Sequence, residues 1–401
     1  MGEVDGDRTS LWRLPATRSM VACSALGFTG YWLTLAALPV YAVRGGTSEV
    51  VAGSVTAAFL VVTIAVQAVV PALTARFGAT KVLVAGLLVL GLPAPLYAVD
   101  DGLAWLLWIS ALRGVGFAIL TVLGSVLAGR IVPPERRGEA VGLYGLSVAV
   151  PNLVAVPAGV ALVLHGGAGV MAWLAALPVL AVPFVPGLVR GARPDDDEVP
   201  AEGAARRAAL RAVAPSAVLF VVTLAGGGLI TYLPIERASG ALASTALLVV
   251  GATGAAVRWP SGVLADRLGT RLLLPGALLC CALGMLGVAG GLRAGDVLVL
   301  AGAAVFGVGF GAVQNLTLVA AFGRAGAGGA TAAGAVWNAM FDAGTATGAL
   351  GLGVVAAALG LPVTYVLVSG ALLLVLPAAV ASTRRPAVSP SPGRPSPAAS
   401  G

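Results

Sequence analysis

The chain has 401 residues, of which 58% are hydrophobic and only 10% are charged, and its mean hydropathy is +0.98. A soluble globular protein carries roughly 25% charged residues, so this composition excludes a mostly water-facing surface and indicates a membrane protein. Cys23, Cys280 and Cys281 lie in apolar stretches without metal-ligand spacing, which predicts neither a disulfide framework nor a metal site. The net charge of +7 is distributed between apolar stretches, a placement that argues against a nucleic-acid partner.

Twelve apolar stretches are long enough to cross a bilayer as helices, which takes about 20 residues each. Their length and their lack of polar alternation favour helices over a barrel. In chain order, the predicted spans 1 to 12 are 20–42, 50–73, 82–99, 103–127, 140–164, 170–188, 212–232, 243–263, 272–292, 297–321, 330–358 and 362–380.

Basic residues indicate the orientation of the spans. Nineteen of the 24 flank the span ends on one side, whereas only Arg44, Arg237 and Arg293 lie on the other. The positive-inside rule places the richer side, with both termini, in the cytoplasm. Lys81 is the only lysine, and Ala, Val and Gly dominate the helices. We interpret this bias as that of a bacterial genome, which predicts a bacterial cytoplasmic membrane.

The charge pattern also predicts the organisation of the chain. A cytoplasmic tail at 1–19 precedes a six-helix bundle at 20–189, and a polar cytoplasmic linker at 190–211 leads to a second six-helix bundle at 212–381. The tail at 382–401 is rich in Pro and Ser and is predicted to be disordered.

The two predicted bundles resemble each other in sequence. Residues 71–78 align with residues 262–269, and Gly114-Val-Gly-Phe117 of span 4 aligns with Gly307-Val-Gly-Phe310 of span 10. These alignments indicate a duplication. Parallel repeats of six helices are a known transporter plan, with the substrate site between the repeats near the middle of the membrane.

Few charged residues lie deep in a span. Sixteen of the 17 acidic residues fall in loops, tails or span ends, and the exception is Asp342. This residue lies roughly 18 Å into span 11, close to the midplane. Arg113 of span 4 is comparably deep, and Arg258 of span 8 is nearer the cytoplasmic end. Charges at such depths are costly, so each is a functional candidate. Burial disfavours the charged form of a carboxyl group, which makes Asp342 a candidate proton carrier.

Amides and aromatic residues extend the candidate site. Spans 3, 6, 9 and 12 lack deep amides and charges, whereas Asn338 precedes Asp342 by four residues and shares its helix face. Aromatic side chains of spans 1 and 7 could stack on an organic substrate. The predicted site for proton coupling and substrate comprises Asp342, Arg113, Asn338, Gln314, Asn315, Tyr31, Trp32, Gln67 and Tyr232.

Structural interpretations of these residues stay open. Asp342 could be a hydrogen-bonding partner at a helix interface, and Arg113 could be a structural pin, an anion ligand or the partner of a proton carrier. The position of Arg258 near the gate favours a structural role for it. Aromatic residues inside helices more often pack against other helices than bind a substrate. His165, the only histidine, is expected to be a loop residue.

The segment Gly262-x-Leu-Ala-Asp266-Arg267-x-Gly269-x-Arg271 resembles the loop signature of the major facilitator superfamily, and the resemblance covers residues 20 to 380. It implies an all-α membrane fold of twelve helices in two pseudo-symmetric bundles, with spans 3, 6, 9 and 12 outermost. It also implies a charged cytoplasmic gate at Gly262, Asp266, Arg267, Gly269, Arg271, Arg76, Gly78 and Arg258. The first-half copy of the signature departs from the pattern, with Ala75 where Asp is expected and Pro71 where Gly is expected.

Two further segments, Arg113-Gly-x-Gly-Phe and Pro134-x-Arg-Arg-Gly-Glu-Ala140-x-Gly142, are similar to drug and sugar efflux branches of that family. The resemblance implies alternating access by a monomer that exports a drug, natural product or sugar in exchange for protons. Span 5 retains only Val156-Pro157-Ala-Gly159 of an antiporter motif, so a proton symporter or uniporter for import stays open. A sensor or scaffold is the alternative of another class. No Walker motif and no catalytic constellation occur, so neither an enzyme nor a cofactor is expected.

Overall fold

The computed structural model describes residues 10–47, 49–193, 203–236, 240–326 and 328–382. Within these ranges the regular structure is entirely helical. Three predictions lie wholly or partly outside the described residues. They concern the predicted disorder of the tail beyond residue 382, the centre of the predicted linker at 194–202, and the orientation assigned from basic residues, of which Arg8 and Arg237 are not described.

Twelve spans cross the described molecule when a bent helix pair is counted as one. Those of the first half are Pro15–Arg44, Ser54–Gln67 with Val70–Phe77, Ala79–Ala98, Leu103–Ala128, Pro134–Leu164 and Ala168–Gly191. Those of the second half are Ala204–Glu236, Gly240–Leu268, Thr270–Ala294, Asp296–Ala325, Ala330–Leu359 and Leu361–Ser382. Short helices at Leu11–Arg13 and Glu49–Ala52 precede spans 1 and 2. The predicted fold class is confirmed.

Several spans are helix series rather than single helices. Span 1 consists of Pro15–Leu35 and Ala37–Arg44, and span 3 of Ala79–Gly91 and Ala94–Ala98. Span 5 opens with a 3-10 turn at Pro134–Arg136 before Arg137–Leu164. Span 6 comprises Ala168–Leu174, Leu177–Phe184 and Val185–Gly191, and span 12 comprises Leu361–Leu374 and Leu376–Ser382.

Proline chemistry explains the breaks in spans 1 and 2. A proline has no N–H for the carbonyl four residues earlier, and its ring clashes with that carbonyl. Pro39 stands four residues after Leu35, where the first helix of span 1 ends. Pro71 likewise stands four residues after Gln67, where span 2 bends by 54°. The break therefore places Gln67 at a helix end.

Span 7 differs from its prediction at its beginning. Its helix starts at Ala204 rather than at 212, so it takes in the last part of the predicted linker. The added residues, Ala-Ala-Arg-Arg-Ala-Ala-Leu-Arg, are strong helix formers. Apolarity marks only the membrane-embedded part of a helix, and this helix continues beyond it.

The internal repeat is visible in the turns of the two halves. Gly78 between spans 2 and 3 has φ 79° and ψ 150°, and Gly269 between spans 8 and 9 has φ 80° and ψ 151°. Only glycine adopts such a backbone without strain. Arg130 after span 4 donates to the carbonyl of Arg193 after span 6 at 3.0 Å, and Arg324 at the end of span 10 donates to that of Ser382 at the end of span 12 at 3.2 Å.

These arginines define one end of the molecule, which we call the arginine-rich end. There the halves meet through an apolar cluster that joins spans 4 and 5 to spans 7, 10 and 11. The cluster includes Val126, Val141, Leu318, Phe322 and Ala332. The main contacts between the halves are made by spans 2, 4 and 5 on one side and by spans 8, 10 and 11 on the other. Each half also has its own apolar core.

Candidate functional site

A polar cluster joins spans 2 and 4 of the first half to span 11 of the second half. The side-chain amide of Gln67 in span 2 donates from Nε2 to Oδ2 of Asp342 in span 11 at 2.8 Å. The amide of Asn338 donates in the opposite direction, from span 11 to the carbonyl of Thr121 and the hydroxyl of Ser125 in span 4, at 3.3 Å each. We call these five residues the midplane cluster. Each half therefore donates a side-chain hydrogen bond to the other.

Span 11 turns its polar face towards the first half because its other face packs closely on span 7. A Cβ added to Gly344 would collide with the carbonyl of Phe220, and one added to Gly348 with the carbonyl of Leu224. Only glycine permits this approach. Asn338 and Asp342 are four residues apart and point away from span 7, towards spans 2 and 4.

Asp342 is buried, with 9% of its surface exposed. Within the described part of the chain it has no ion-pair partner, and its recorded hydrogen bond comes from Gln67. The phenol of Tyr31 is near enough for the charge of Asp342 to act on it. An uncompensated carboxylate in such a place is costly. A charge on Asp342 would therefore lack a compensating cation within the described residues.

Tyr31 belongs to an aromatic wall on the first half. Its ring stacks on Phe117 at a centroid distance of 4.0 Å and on Phe59 at 5.1 Å. The neighbouring Trp32 donates from its indole to the carbonyl of Val148 at 3.2 Å. The wall thus forms an apolar, rigid boundary beside the midplane cluster.

The structure does not bring Arg113 to Asp342. Arg113 is fully buried inside the first half, where Nε donates to the carbonyl of Leu90 at 2.8 Å and one terminal nitrogen donates to the carbonyl of Gly30 at 2.9 Å. The other terminal nitrogen donates to the hydroxyl of Thr34 at 3.0 Å, and the guanidinium lies 5.3 Å from the ring centre of Tyr97. These contacts tie spans 1, 3 and 4 together and favour the structural interpretation.

A second polar site, closer to the arginine-rich end, links spans 5 and 8. Asp266 near the end of span 8 accepts hydrogen bonds from the backbone N–H groups of Gly138 and Glu139, both at 2.8 Å. These groups belong to the first turn of span 5, where helix amides are free and the helix dipole favours an anion. The Asp266 carboxylate thus caps a helix of the other half.

Arg258, two helical turns before Asp266 on span 8, extends this contact away from the end of the span. Its guanidinium donates to the carbonyl of Gly145 in span 5 at 3.1 Å and to Oε1 of Gln314 in span 10. The amide of Asn315 donates to the backbone carbonyl of Arg258 at 3.0 Å. We call Gly138, Gly142, Gly145, Arg258, Gly262 and Asp266 the gate contact. A Cβ added to Gly262 would collide with the carbonyl of Gly138, so glycine is required for spans 5 and 8 to meet here.

The remaining predicted gate residues are not joined to this contact. Arg76 lies 5.2 Å from the ring centre of its neighbour Phe77. Arg267 and Arg271 are exposed, and among the described residues no hydrogen bond or ion pair of theirs is recorded. The partners of Asp266 are therefore backbone amides of the other half rather than the adjacent arginine.

The predicted site residues thus divide into three groups. Gln67, Asn338 and Asp342 meet at the midplane with Tyr31 nearby, whereas Gln314 and Asn315 join Arg258 at the gate contact. Arg113, Trp32 and Tyr232 bond within their own halves, the last through its hydroxyl to the carbonyl of Ala349.

Sequence reasoning missed Thr121 and Ser125 of span 4. Their four-residue spacing matches that of Asn338 and Asp342, and this spacing was an available signal for a shared polar face. It also missed the break after Gln67, which the position of Pro71 could have indicated.

Comparison with known proteins agrees with this architecture. The family model described as Major Facilitator Superfamily matches residues 20–349. The chain belongs to this superfamily of membrane transporters. No curated protein matches it in sequence.

Solved structures share the fold at low sequence identity. The fucose:proton symporter of E. coli, FucP, has a TM-score of 0.71 and 16% identity over 92% of this chain and 98% of its own. The human organic anion transporter MFSD10 (TETRAN) has a TM-score of 0.73 and 16% identity over 92% of this chain and 100% of its own. A second FucP structure, in the outward conformation, also matches with a TM-score of 0.71.

Proposed function

We propose that this protein is a proton-coupled secondary transporter and that Asp342 carries the proton. The observation that supports this most directly is a buried carboxyl group between the two halves, without a cationic partner among the described residues. Such a group changes its proton occupancy when its access to water changes. Alternating access supplies this change, because the midplane faces each side of the membrane in turn.

The proposed orientation places the arginine-rich end in the cytoplasm of a bacterial cell, as the positive-inside rule predicts. The gate contact and the apolar cluster around Phe322 hold the halves together at that end. In this orientation the structure represents a state closed to the cytoplasm. Opening to the cytoplasm requires Asp266 to leave the start of span 5 and Arg258 to leave Gly145.

The proposed cargo is a small organic compound, such as a drug, a natural product or a sugar, and the proposed direction is export by proton antiport. The direction rests on the resemblance of the segments at Arg113 and at Pro134–Gly142 to efflux branches of the family. The proposed working unit is a monomer in contact with lipid.

Proton symport into the cell is a second candidate. The incomplete antiporter motif at Val156–Gly159 favours it, as does the structural similarity to a fucose:proton symporter. Both candidates use the same carboxyl group, and they differ in whether substrate and proton move in the same direction.

Proton movement in proteoliposomes with an internal pH dye tests the proposal. We expect a panel of hydrophobic cations, antibiotics and sugars to include a compound that elicits a proton flux in the wild type, and we expect this flux to disappear in Asp342→Asn. Asp296→Asn, which removes a carboxylate at the start of span 10, is the matched control and should retain the flux. The sign of the flux relative to the substrate gradient separates antiport from symport. Substrate uptake that is unchanged in Asp342→Asn and moves no protons would leave a uniporter in which Asp342 is structural.

A further inference from the structure

The amide of Gln67 carries an unused acceptor next to Asp342. Its Nε2 donates to Asp342 and, at 3.3 Å, to the hydroxyl of Thr121. Its Oε1 is buried and has no hydrogen-bond partner in the described structure. A buried acceptor without a donor is unfavourable. Rotating the amide by 180° exchanges N and O without changing the shape of the side chain, and this would turn Oε1 towards the carboxyl group.

The protonation state of Asp342 decides which end of the amide it needs. An ionised carboxylate only accepts, so it requires the N–H group of Gln67. A protonated carboxyl group can donate its O–H, so it pairs with Oε1. The first arrangement gains one charge-assisted hydrogen bond but buries an unpaired charge, and the desolvation cost of a buried charge exceeds the gain from one such bond. The second arrangement buries no charge and gives Oε1 a donor, at the cost of the hydrogen bonds from Nε2 to Asp342 and Thr121.

We propose that Gln67 is the acceptor for the carboxyl proton of Asp342, and that spans 2 and 11 close on each other when this proton is bound. The inference rests on the proposed function and names the residue that couples the proton to the conformational change. Proton loading stabilises the state in which the halves touch at the midplane and at the arginine-rich end. Proton loss leaves a buried charge, which water can solvate only if spans 2 and 11 separate.

The break in span 2 suits Gln67 to this role. Because Pro71 withholds the hydrogen bond that would continue the helix, Gln67 is the last residue of Ser54–Gln67. Discontinuous helices at mid-membrane are the usual place where transporters bind their coupling ions. The two segments of span 2, Ser54–Gln67 and Val70–Phe77, each contact span 11. Bending at the break can therefore release one of these contacts without deforming a continuous helix.

Other ionisable groups near span 11 do not replace Gln67 in this role. Tyr31 of span 1 lies within electrostatic reach of Asp342 from the first half. Arg113 is held by Leu90 and Gly30. On the spans packed against span 11, the others lie near span ends or within the second half: Arg76, Arg206, Arg207, Arg211, Tyr232, Asp296, Arg324 and Tyr365.

The test uses a cysteine at Ala332, which is buried between the halves at the arginine-rich end. In a chain whose three native cysteines are replaced, labelling of Ala332→Cys by a water-soluble thiol reagent reports opening at that end. We expect labelling to fall as the pH is lowered. With Asp342→Asn added, which mimics the protonated group, labelling should be low at every pH.

Gln67→Met provides the decisive comparison, because Met has nearly the length of Gln but no hydrogen-bond acceptor of comparable strength. If Gln67 holds the proton of Asp342, its loss makes protonation harder, and the labelling midpoint moves to lower pH by about 0.5 to 1 unit. If Gln67 instead serves the ionised carboxylate, its loss makes ionisation harder, and the midpoint moves to higher pH. A shift to higher pH, or no shift, would overturn the inference.

Thr63→Val is the matched control. Thr63 is buried one turn earlier on the same helix, and its hydroxyl bonds to Phe59 and Gly114 within the first half. This variant should keep the wild-type midpoint, and Gln67→Leu serves as the second test variant if Gln67→Met does not fold. If labelling of Ala332→Cys without further substitutions does not depend on pH while proton flux persists, the inference is overturned and the proposed function stands. Labelling that follows pH without any proton flux would instead overturn the proposed function.

Discussion

Arg113 is enclosed by acceptors that belong to spans 1 and 3. All three of its nitrogen groups are used, and two of them donate to backbone carbonyls of the neighbouring helices. A planar guanidinium serves these diverging acceptors, whereas the single ammonium group of lysine cannot reach them all. These contacts favour a role for Arg113, one of the two charged residues deepest in the predicted spans, in the framework of the first half.

A stability measurement separates this framework role from substrate binding. Arg113→Lys should lower the free energy of unfolding by roughly 2–4 kcal/mol, because buried carbonyls lose their donors. Thermal unfolding of the purified protein in detergent measures this effect. Ser110→Ala, one turn earlier on the same helix, removes a single buried hydrogen bond to Tyr97 and should cost about 1 kcal/mol. An unchanged melting temperature with an altered substrate affinity would return Arg113 to the binding site.

At the scale of elements, each of the twelve spans could be predicted from the apolar length of its own stretch, without knowing its neighbours. About 20 apolar residues cross a bilayer wherever they occur. The orientation likewise follows from counting basic residues between the spans, which requires no knowledge of their contacts. The distribution of the deep amides is different. Gln314 and Asn338 are both amides inside spans, yet one bonds to Arg258 at the gate contact and the other to Thr121 in the midplane cluster. Their separation depends on which helix faces which, and a single sequence does not contain this information.

The close contact of spans 5 and 8 is likewise a property of two elements. Gly262→Ala should drive these helices apart, because the added methyl group would collide with the carbonyl of Gly138. A backbone carbonyl cannot move aside as a flexible side chain can. We expect the labelling of Ala332→Cys to rise and its dependence on pH to weaken. Gly276→Ala on span 9 is the control, since a Cβ there meets nothing within 4 Å. Equal labelling in the two variants would show that the gate contact does not hold the arginine-rich end closed.

At the scale of the whole molecule, the repeat is symmetric in backbone and asymmetric in chemistry. The turns at Gly78 and Gly269 have nearly the same dihedral angles. The second half places Asp266 against the first turn of span 5, whereas the first half offers Ala75 at the equivalent position near span 11. On one side of the pseudo-twofold axis the arginine-rich end is therefore held by the Asp266 cap and the hydrogen bonds of Arg258, and on the other side by apolar contacts around Phe322.

Restoring the missing carboxylate tests whether this asymmetry sets the ease of opening. By the symmetry of the two turns, Ala75→Asp should direct a carboxylate towards the start of span 11 at Ala330, where free amides and the helix dipole favour an anion. A contact of this kind stabilises by about 1 kcal/mol, or roughly fivefold in the equilibrium between closed and open states. Ala75 is exposed, so the new charge keeps its access to water while the halves are apart. We expect slower labelling of Ala332→Cys and slower transport, both measured at one pH.

Ala75→Leu is the control for added bulk at the same position. Because leucine cannot cap a helix, we expect this variant to leave the rates of labelling and of transport unchanged. Slowing by Ala75→Asp that vanishes when Asp266→Ala is added would mean that the two capping contacts work only together. Faster labelling in Ala75→Asp would show that the first-half loop does not stand against span 11 as the second-half loop stands against span 5. The pseudo-symmetry would then extend to the backbone turns and not to the surfaces that close the transporter.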